Sequence, residues 1–252
     1  METVARSLHS IKFPESARLL VLAPHPDDFD AIGVTMRFFR HNGNPIRVAV
    51  ATTGANGVQD SFCDQPTLQQ KSEIREQEQR ESCRFFGLPE SNLTFLRLEE
   101  DKSGRLSKNE ANLNRVNAQL QTLKPKMVFL PHWNDTNLTH QRVYDIFKKV
   151  AREGGYSLIA FLNRDPKTIE MRNDIYTEFD EKEAAWKAEL LRFHRSQQQR
   201  NLDQRGYGMD ERILRMDRQS AGACSLEMPY AEVFELEFFG GEKLEDILNG
   251  SI

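Results

Sequence analysis

Five short apolar runs, separated by stretches of helical period, constrain the fold of this chain more than any other feature. Residues 18–23 (RLLVLA), 46–52 (IRVAVAT), 93–98, 127–130 and 157–162 each read as a strand. Unbroken runs of Leu, Val and Ile suit strands covered on both faces. Between the first two runs, Ile32, Met36 and Phe39 fall near helical spacing over 31–40, and Asn42-Gly43 stops the helix. A long charged helix follows over 67–86, with an inner face drawn from Ile74, Cys83, Phe85 and Phe86 and with Gly87 as its stop. Leu113, Val116, Leu120 and Leu123 define a helix over 108–123, and Val143, Ile146, Phe147 and Val150 mark another. This alternation predicts an α/β fold of three layers: a mostly parallel sheet with helices on both faces, joined by right-handed crossovers.

The alternation stops after about residue 165. Residues 180–195 read as helix, 196–222 as a polar Arg- and Gln-rich stretch, and 230–237 (YAEVFELE) as a strand. Neither an internal repeat nor a linker divides the chain. A single domain over 1–252 is expected, with a core over about 15–165 and an elaborated C-terminal third over about 166–252.

Composition narrows the function. The net charge of −4 gives no basic footprint for nucleic acid. No apolar run approaches the roughly 20 residues that a spanning helix needs. The opening METVARSLHSIKF lacks the apolar segment of a secretory signal. Cys63, Cys83 and Cys224 are odd in number and form no CxxC pair, so a reducing cytoplasm is the expected compartment. A small-molecule substrate is the expected partner, and a homo-oligomer is compatible with the sequence.

Chemistry concentrates after two of the runs. The first ends in Pro24-His25-Pro26-Asp27-Asp28 and the fourth in Pro131-His132-Trp133-Asn134-Asp135, with His140 shortly beyond. Open parallel sheets bind ligands beyond the carboxyl ends of their strands, where the strand order reverses. With the runs ordered third, second, first, fourth, fifth, both clusters open into one crevice. That crevice would gather His25, Asp27, Asp28, His132, Asp135 and His140. Two imidazoles and a carboxylate suffice for an open zinc site, and the same set suits iron(II). The adjacent carboxylates divide naturally, Asp28 as ligand and Asp27 as general base. Plainer roles exist for each residue: Asp27 or Asp28 as a helix cap, His132 as a half-buried histidine beside Trp133, and Thr139 as a cap with His140 in the first helical turn.

The segment VLAPHPDDFDAIG resembles the signature of the LmbE-like/PIG-L family of zinc-dependent N-deacetylases, usually an apolar strand followed by AHPDDE. IRVAVATTGANG resembles the family's second strand and its Thr-x-Gly-x-x-Gly turn. IREQEQRESCRFFGL resembles its Arg-x-x-Glu helix, LPHWNDTNLTHQRVYDIF its second metal motif, and WKAELLRFHRSQ a late helix bearing Lys and Ser-Gln. The resemblance spans about residues 18–200. It implies a Rossmann-like fold, a zinc ion held by His25, Asp28 and His140, Asp27 as general base, and Arg75 near the substrate. The implied reaction is hydrolysis of an N-acetyl group, often on a glucosamine moiety. Thr53, Gly54 and Asn56 would line the sugar side, with Asp135 also facing substrate.

Two departures stand out. The family's second motif is usually His-Pro-Asp-His; here Asn137 and Thr139 occupy the places of its first His and its Asp. The oxyanion donor is then expected from His132 or Asn137. The first motif continues as Phe29-Asp30 instead of Glu, with Asp30 as a replacement one position later. Two other classes compete: a two-metal phosphoesterase using Asp30 and Asp135 as extra carboxylates, and a metal-binding relative without activity. Arg195, Arg200, Arg205, Arg212, Arg215 and Arg218 alternate with acidic residues. They read either as a solvated helix face or as a lid, hinged at Gly206 and Gly208, over an anionic substrate such as a sugar phosphate.

Overall fold

In the computed structural model, which describes residues 5–101, 105–241 and 243, the apolar runs form the centre of one eight-stranded sheet. The first four residues of the N-terminal stretch and the end of the C-terminal third lie outside the described residues. The strands are β1 (Arg6–Ser7), β2 (Leu19–Ala23), β3 (Ile46–Val50), β4 (Leu93–Phe95), β5 (Met127–Pro131), β6 (Leu158–Asn163), β7 (Ile175–Phe179) and β8 (Tyr230–Phe239). Their order is β1-β7-β8-β6-β5-β2-β3-β4. Strands β4, β3, β2, β5 and β6 are parallel and stand in the expected order. Strand β8 pairs antiparallel with both β6 and β7 and so ties the C-terminal third into the same sheet.

Side chains alternate across each central strand and separate two cores. Val21, Val48, Phe129 and Phe161 pack beneath α1 (Gly33–His41), α2 (Leu68–Phe86) and α5 (Glu181–Arg192), through Met36, Phe39, Phe86 and Leu190. Leu20, Leu22, Val128 and Leu130 face the other way. There they meet Val116 and Leu120 of α3 (Glu110–Leu123) and Val143 and Phe147 of α4 (Leu138–Glu153). Each fully buried aliphatic or aromatic side chain contributes about 1.5–3 kcal/mol, and the two-sided burial is why these strands are apolar throughout. Helix α2 begins where Thr67 caps the Gln70 N–H and ends at Gly87 with φ 84°, as its sequence indicates.

The polar Arg- and Gln-rich stretch 196–222 is helical over most of its length. It forms α6 (Arg195–Arg205), packed on α2 and the loop after β3, and α7 (Met209–Ala223), packed on α5 and α6. The buried face of α6 is Ser196, Gln197 and Asn201, so its helical period carries no hydrophobic signal. Helix α7 does carry one, in Met209, Ile213 and Met216. Among the described residues, no helix is long and apolar enough to cross a membrane.

Candidate metal centre and its crevice

Strands β2 and β5 are neighbours, and the chain leaves them toward opposite sides of the sheet. A crevice therefore opens beyond their carboxyl ends. It is a cavity of about 760 Å³, lined by the loops after β2, β3, β5 and β6 and by α6 and α7. At its base His25, Asp28 and His140 place one ligand atom each within 4.8 Å of one another. The His25 Nδ1 lies 3.2 Å from Asp28 Oδ2, and the His140 Nε2 lies 3.7 Å from Asp28 Oδ1. Residues more than a hundred positions apart are thus brought together by strand pairing.

The loop after β2 is tightly built. The His25 N–H donates to Asp28 Oδ2 at 2.7 Å. Thr52 donates to the Pro24 carbonyl from both its backbone N–H and its hydroxyl. Asp27 sits at φ 122°, a backbone region that residues with a Cβ rarely occupy. Its N–H donates to Gln79 Oε1 at 2.9 Å, and its Oδ2 lies 3.0 Å from the Arg75 guanidinium. Arg75 is buried, also donates to the Pro26 carbonyl, and approaches Glu78 at 3.6 Å. Gly54, at φ 65°, lets this group close: a Cβ there would stand 3.2 Å from both Arg75 Nε and Pro26 Cδ. Thr53, Gly54 and Asn56 line the cavity beside it.

Burial by itself raises the Asp28 carboxyl, but His140 and the bonds from His25 outweigh it and hold Asp28 well below the usual carboxylate range. Burial lowers His140, yet the carboxylates of Asp28, Asp135 and Asp165 lift it to about 9. Two histidines therefore face three carboxylates, an excess of negative charge that suits a divalent cation. His140 also has a fixed orientation, since its Nδ1 faces Asp135 Oδ2 at 3.0 Å and its Nε2 is left toward the cluster. This carboxylate–histidine arrangement is the usual support of a metal-binding imidazole.

Not every residue singled out in the sequence faces the crevice. His132 is buried with its Nδ1 accepting the Asn134 N–H and its Nε2 3.3 Å from Glu235. It does not line the cavity, because the pleat at the end of β5 turns it toward β8, and burial lowers its pKa. Asp135 is fully buried; one oxygen faces His140 and the other accepts the Asn137 N–H at 2.6 Å. Its carboxylate is thus consumed within the protein and does not face substrate. Asn137, not Thr139, caps α4, yet it lines the cavity and its amide NH2 has no protein partner among the described residues. Asp30 lies outside the crevice, where it accepts bonds from Gln79, Ser82 and His194. It is therefore not a bridging carboxylate for a second metal.

Sequence reasoning missed Asp165 and Gln197, which both line the cavity. Asp165 forms a second potential ligand group with Asp135 and His140. Its place just beyond β6 was the readable signal. Gln197 donates to the Gly57 carbonyl at 3.0 Å and fastens α6 to the loop after β3.

The chain matches the family model of GlcNAc-PI de-N-acetylases (PIG-L) over residues 20–151. Its structure is similar to N,N'-diacetylchitobiose deacetylase from Pyrococcus horikoshii, at 16% identity and a TM-score of 0.72, covering 88% of this chain and 84% of that one. It is also similar to the 4-carboxy-2-hydroxymuconate hydratase GalB from Pseudomonas putida KT2440, at 16% identity and a TM-score of 0.69, covering 90% and 98%. A third similar structure is the teicoplanin deacetylase Orf2 in a zinc-inhibited form, at 12% identity and a TM-score of 0.64, covering 89% and 100%. No curated protein matches the chain significantly. At these identities the similar structures establish the fold, and the hydratase among them shows that one fold carries more than one reaction.

Proposed function

The chain belongs to the PIG-L family of GlcNAc-PI de-N-acetylases, and from that premise we propose that it is a metal-dependent amide hydrolase that removes an N-acyl group from an amino-sugar-containing small molecule. The observation that carries this reading is the pairing of a two-histidine, one-aspartate cluster with a second carboxylate, Asp27, held beside it in a forced backbone conformation. A site that only stored a cation would have no use for Asp27 in that posture.

We assign His25, Asp28 and His140 as the ligands and zinc as the ion, with iron(II) compatible with the same donors. When bound, the ion supplies Lewis acidity toward the acyl carbonyl and toward water. Asp27 accepts the proton of the attacking water and returns it to the leaving nitrogen. Arg75 holds the Asp27 carboxylate in place, and Gln79 fixes its backbone. Asp135 keeps His140 oriented with Nε2 toward the cluster. The unpartnered amide of Asn137 is the nearest replacement for the family's first histidine as oxyanion donor. Thr53, Gly54 and Asn56 border the sugar. We place this machinery in one domain spanning the chain. A reducing cytoplasm fits its three free cysteines.

Amine release from a panel of N-acetylated amino sugars, with metal content measured in parallel, tests the proposal. The metal-loaded chain should hold one ion and release amine, and a chelator should abolish release. Asp27→Asn should retain the ion and lose turnover by about 10²–10⁴, the usual contribution of a general base. Wild-type turnover in that variant would remove Asp27 from the mechanism. A loaded chain that releases no amine from any member of the panel would remove the deacylase reading itself. Metal analysis after reconstitution also separates zinc from iron.

A further inference from the structure

The arginines of the C-terminal helices fall into two groups. Those that face outward are all paired: Arg192 with Asp210 at 2.7 Å, Arg195 with Glu81 at 2.8 Å, Arg215 with Glu211, and Arg218 with Glu181 at 3.4 Å. Arg200, Arg205 and Arg212 instead line the cavity, and among the described residues none has a carboxylate within 4.0 Å. Acidic residues are abundant on the same helices, so the missing partners are confined to the side that faces the crevice.

The position of Arg200 is fixed. Its guanidinium packs on the loop after β3, so close that a Cβ on Gly57 would stand 3.2 Å from Arg200 Nη1. Burial lowers the Arg200 pKa, and the guanidiniums of Arg205, Arg75 and Arg212 lower it further, while Asp27 opposes them. Arg200 therefore lines the same cavity as Asp27 and as the two other unpaired arginines. Lys167 adds another positive group to the same lining. Of the four carboxylates that line the cavity, Asp27 is engaged by Arg75, Asp28 by the two histidines, and Asp165 groups with Asp135 and His140; Glu100, like the others, makes no ion pair with the three arginines among the described residues.

We propose that Arg200, Arg205 and Arg212 form a phosphate subsite, and that the acylated substrate of this chain carries a phosphate group. The proposal rests on the amino-sugar reading above and adds the charge of the substrate to it. Three guanidiniums lining one cavity without a protein counter-ion repel one another and are stabilised by an anion that meets more than one of them. A phosphate offers about −1.5 to −2 charge and three acceptor oxygens, whereas a carboxylate offers a single charge and two oxygens. Planar guanidinium forks match phosphate geometry in pairs. The three arginines lie on the C-terminal helices, outside the residues 20–151 that match the family model.

Calorimetric titration of the metal-loaded full chain with glucosamine 6-phosphate, glucosamine and glucuronic acid tests the subsite without requiring turnover. Glucosamine 6-phosphate should bind at least about tenfold more tightly than glucosamine, the scale of one charge-assisted hydrogen bond. That ratio should shrink at about 0.5 M salt, where the Debye length falls to a few ångström. It should collapse in the R200Q/R212Q double variant, and partly in R205Q, which alters an exposed side chain and leaves the core intact. Equal binding of the phosphorylated and neutral sugars would overturn the proposal. So would a phosphate preference that survives both variants, since the metal would then be its source, or glucuronic acid binding as tightly as the phosphate. Amine release from N-acetylglucosamine is measured separately. A phosphate preference without any deacylation sinks only the amide-hydrolase reading, and deacylation without that preference sinks only the subsite.

Discussion

At the scale of single residues, the geometry at Asp27 is the most specific feature of the crevice. A residue with a Cβ at φ 122° costs on the order of 1–3 kcal/mol and persists only where its surroundings force it. Here Gln79 holds the N–H, Arg75 holds the carboxylate, and the Asp27 carbonyl accepts the N–H groups of Asp30 and Ala31. The strain is local, so it should separate in experiment from the loss of the carboxylate. Asp27→Ala and Asp27→Gly both remove the base, but glycine adopts positive φ freely. The glycine variant should unfold at higher denaturant concentration than the alanine variant, by about 1 kcal/mol; a glycine variant no more stable than alanine would mean that the backbone there is relaxed. Asp135 offers a second residue-scale case. Its carboxylate orients His140 and accepts the Asn137 N–H, so Asp135→Asn, whose amide oxygen can keep one of these bonds, should leave all three ligands present while weakening the metal about 10–100-fold. Competition with a chelator dye measures this, and unchanged affinity would show that the His140 ring is set by packing alone.

At the scale of elements, the parallel half of the sheet was legible because each central strand is apolar throughout and α1, α3 and α4 show their buried faces in apolar residues. Helix α2 departs from this, since it buries Arg75, Glu76, Glu78, Gln79 and Ser82 beside Cys83 and Phe86, while the expected Ile74 and Phe85 are only half-buried. The convergence of His25, Asp28 and His140 followed from strand order. Illegible parts share one cause: their buried faces are polar or short. Strand β1 has two residues. Helix α6 buries Ser196, Gln197 and Asn201, and the partners of the first two, Glu78 and Gly57, lie far off in sequence. Ser196 donates to Glu78, and His194, just before α6, meets Asp30 at 2.5 Å. His132 misled for the opposite reason, since it stands one position beyond a strand end but on the face that the pleat turns toward Glu235. The Asp30 contacts have an energetic consequence. Asp30 is fully buried and accepts from Gln79, Ser82 and His194, which joins the loop after β2 to α2 and to the start of α6. Removing it leaves the buried His194 Nε2 without its partner, while Gln79 and Ser82 keep their bonds to each other, so Asp30→Ala should cost about 1–3 kcal/mol, the desolvation cost of a buried unsatisfied group. A denaturant titration of metal-free protein reads this directly, and a cost below about 1 kcal/mol would mean that water replaces the carboxylate.

At the scale of the whole molecule, a buried ionic triad within the C-terminal third is one of its attachments to the parallel core. Lys187 of α5 places its Nζ 2.6 Å from Asp217 of α7 and 2.8 Å from Glu232 of β8, and all three are buried. Glu232 also accepts the N–H groups of Val34 and Thr35 at the start of α1, at 3.0 and 2.8 Å. That leaves two carboxylates for one ammonium. Both Glu232 oxygens accept backbone N–H groups, whereas the Asp217 Oδ1 has no hydrogen-bond partner among the described residues. Burial, opposed by Lys187 and reinforced by Glu232, accordingly pushes Asp217 up from 3.8 to about 7. Between those values the folded chain binds a proton that the unfolded chain has released. The stabilisation from Asp217 is therefore complete below about pH 4 and is lost as the pH rises through about 7. Lys187 is raised by the same partners, and its contribution fades only above its already alkaline range, so it leaves this window untouched. Unfolding free energy measured from pH 5 to pH 8 should fall in the wild type with a slope of up to about 1.4 kcal/mol per pH unit from this group. Asp217→Asn mimics the protonated carboxyl in shape and charge and should flatten that part of the profile. Metal loss at low pH affects both proteins alike and cancels in the comparison. Parallel profiles would place the proton elsewhere, and the triad would then carry its full negative charge inside the fold at neutral pH.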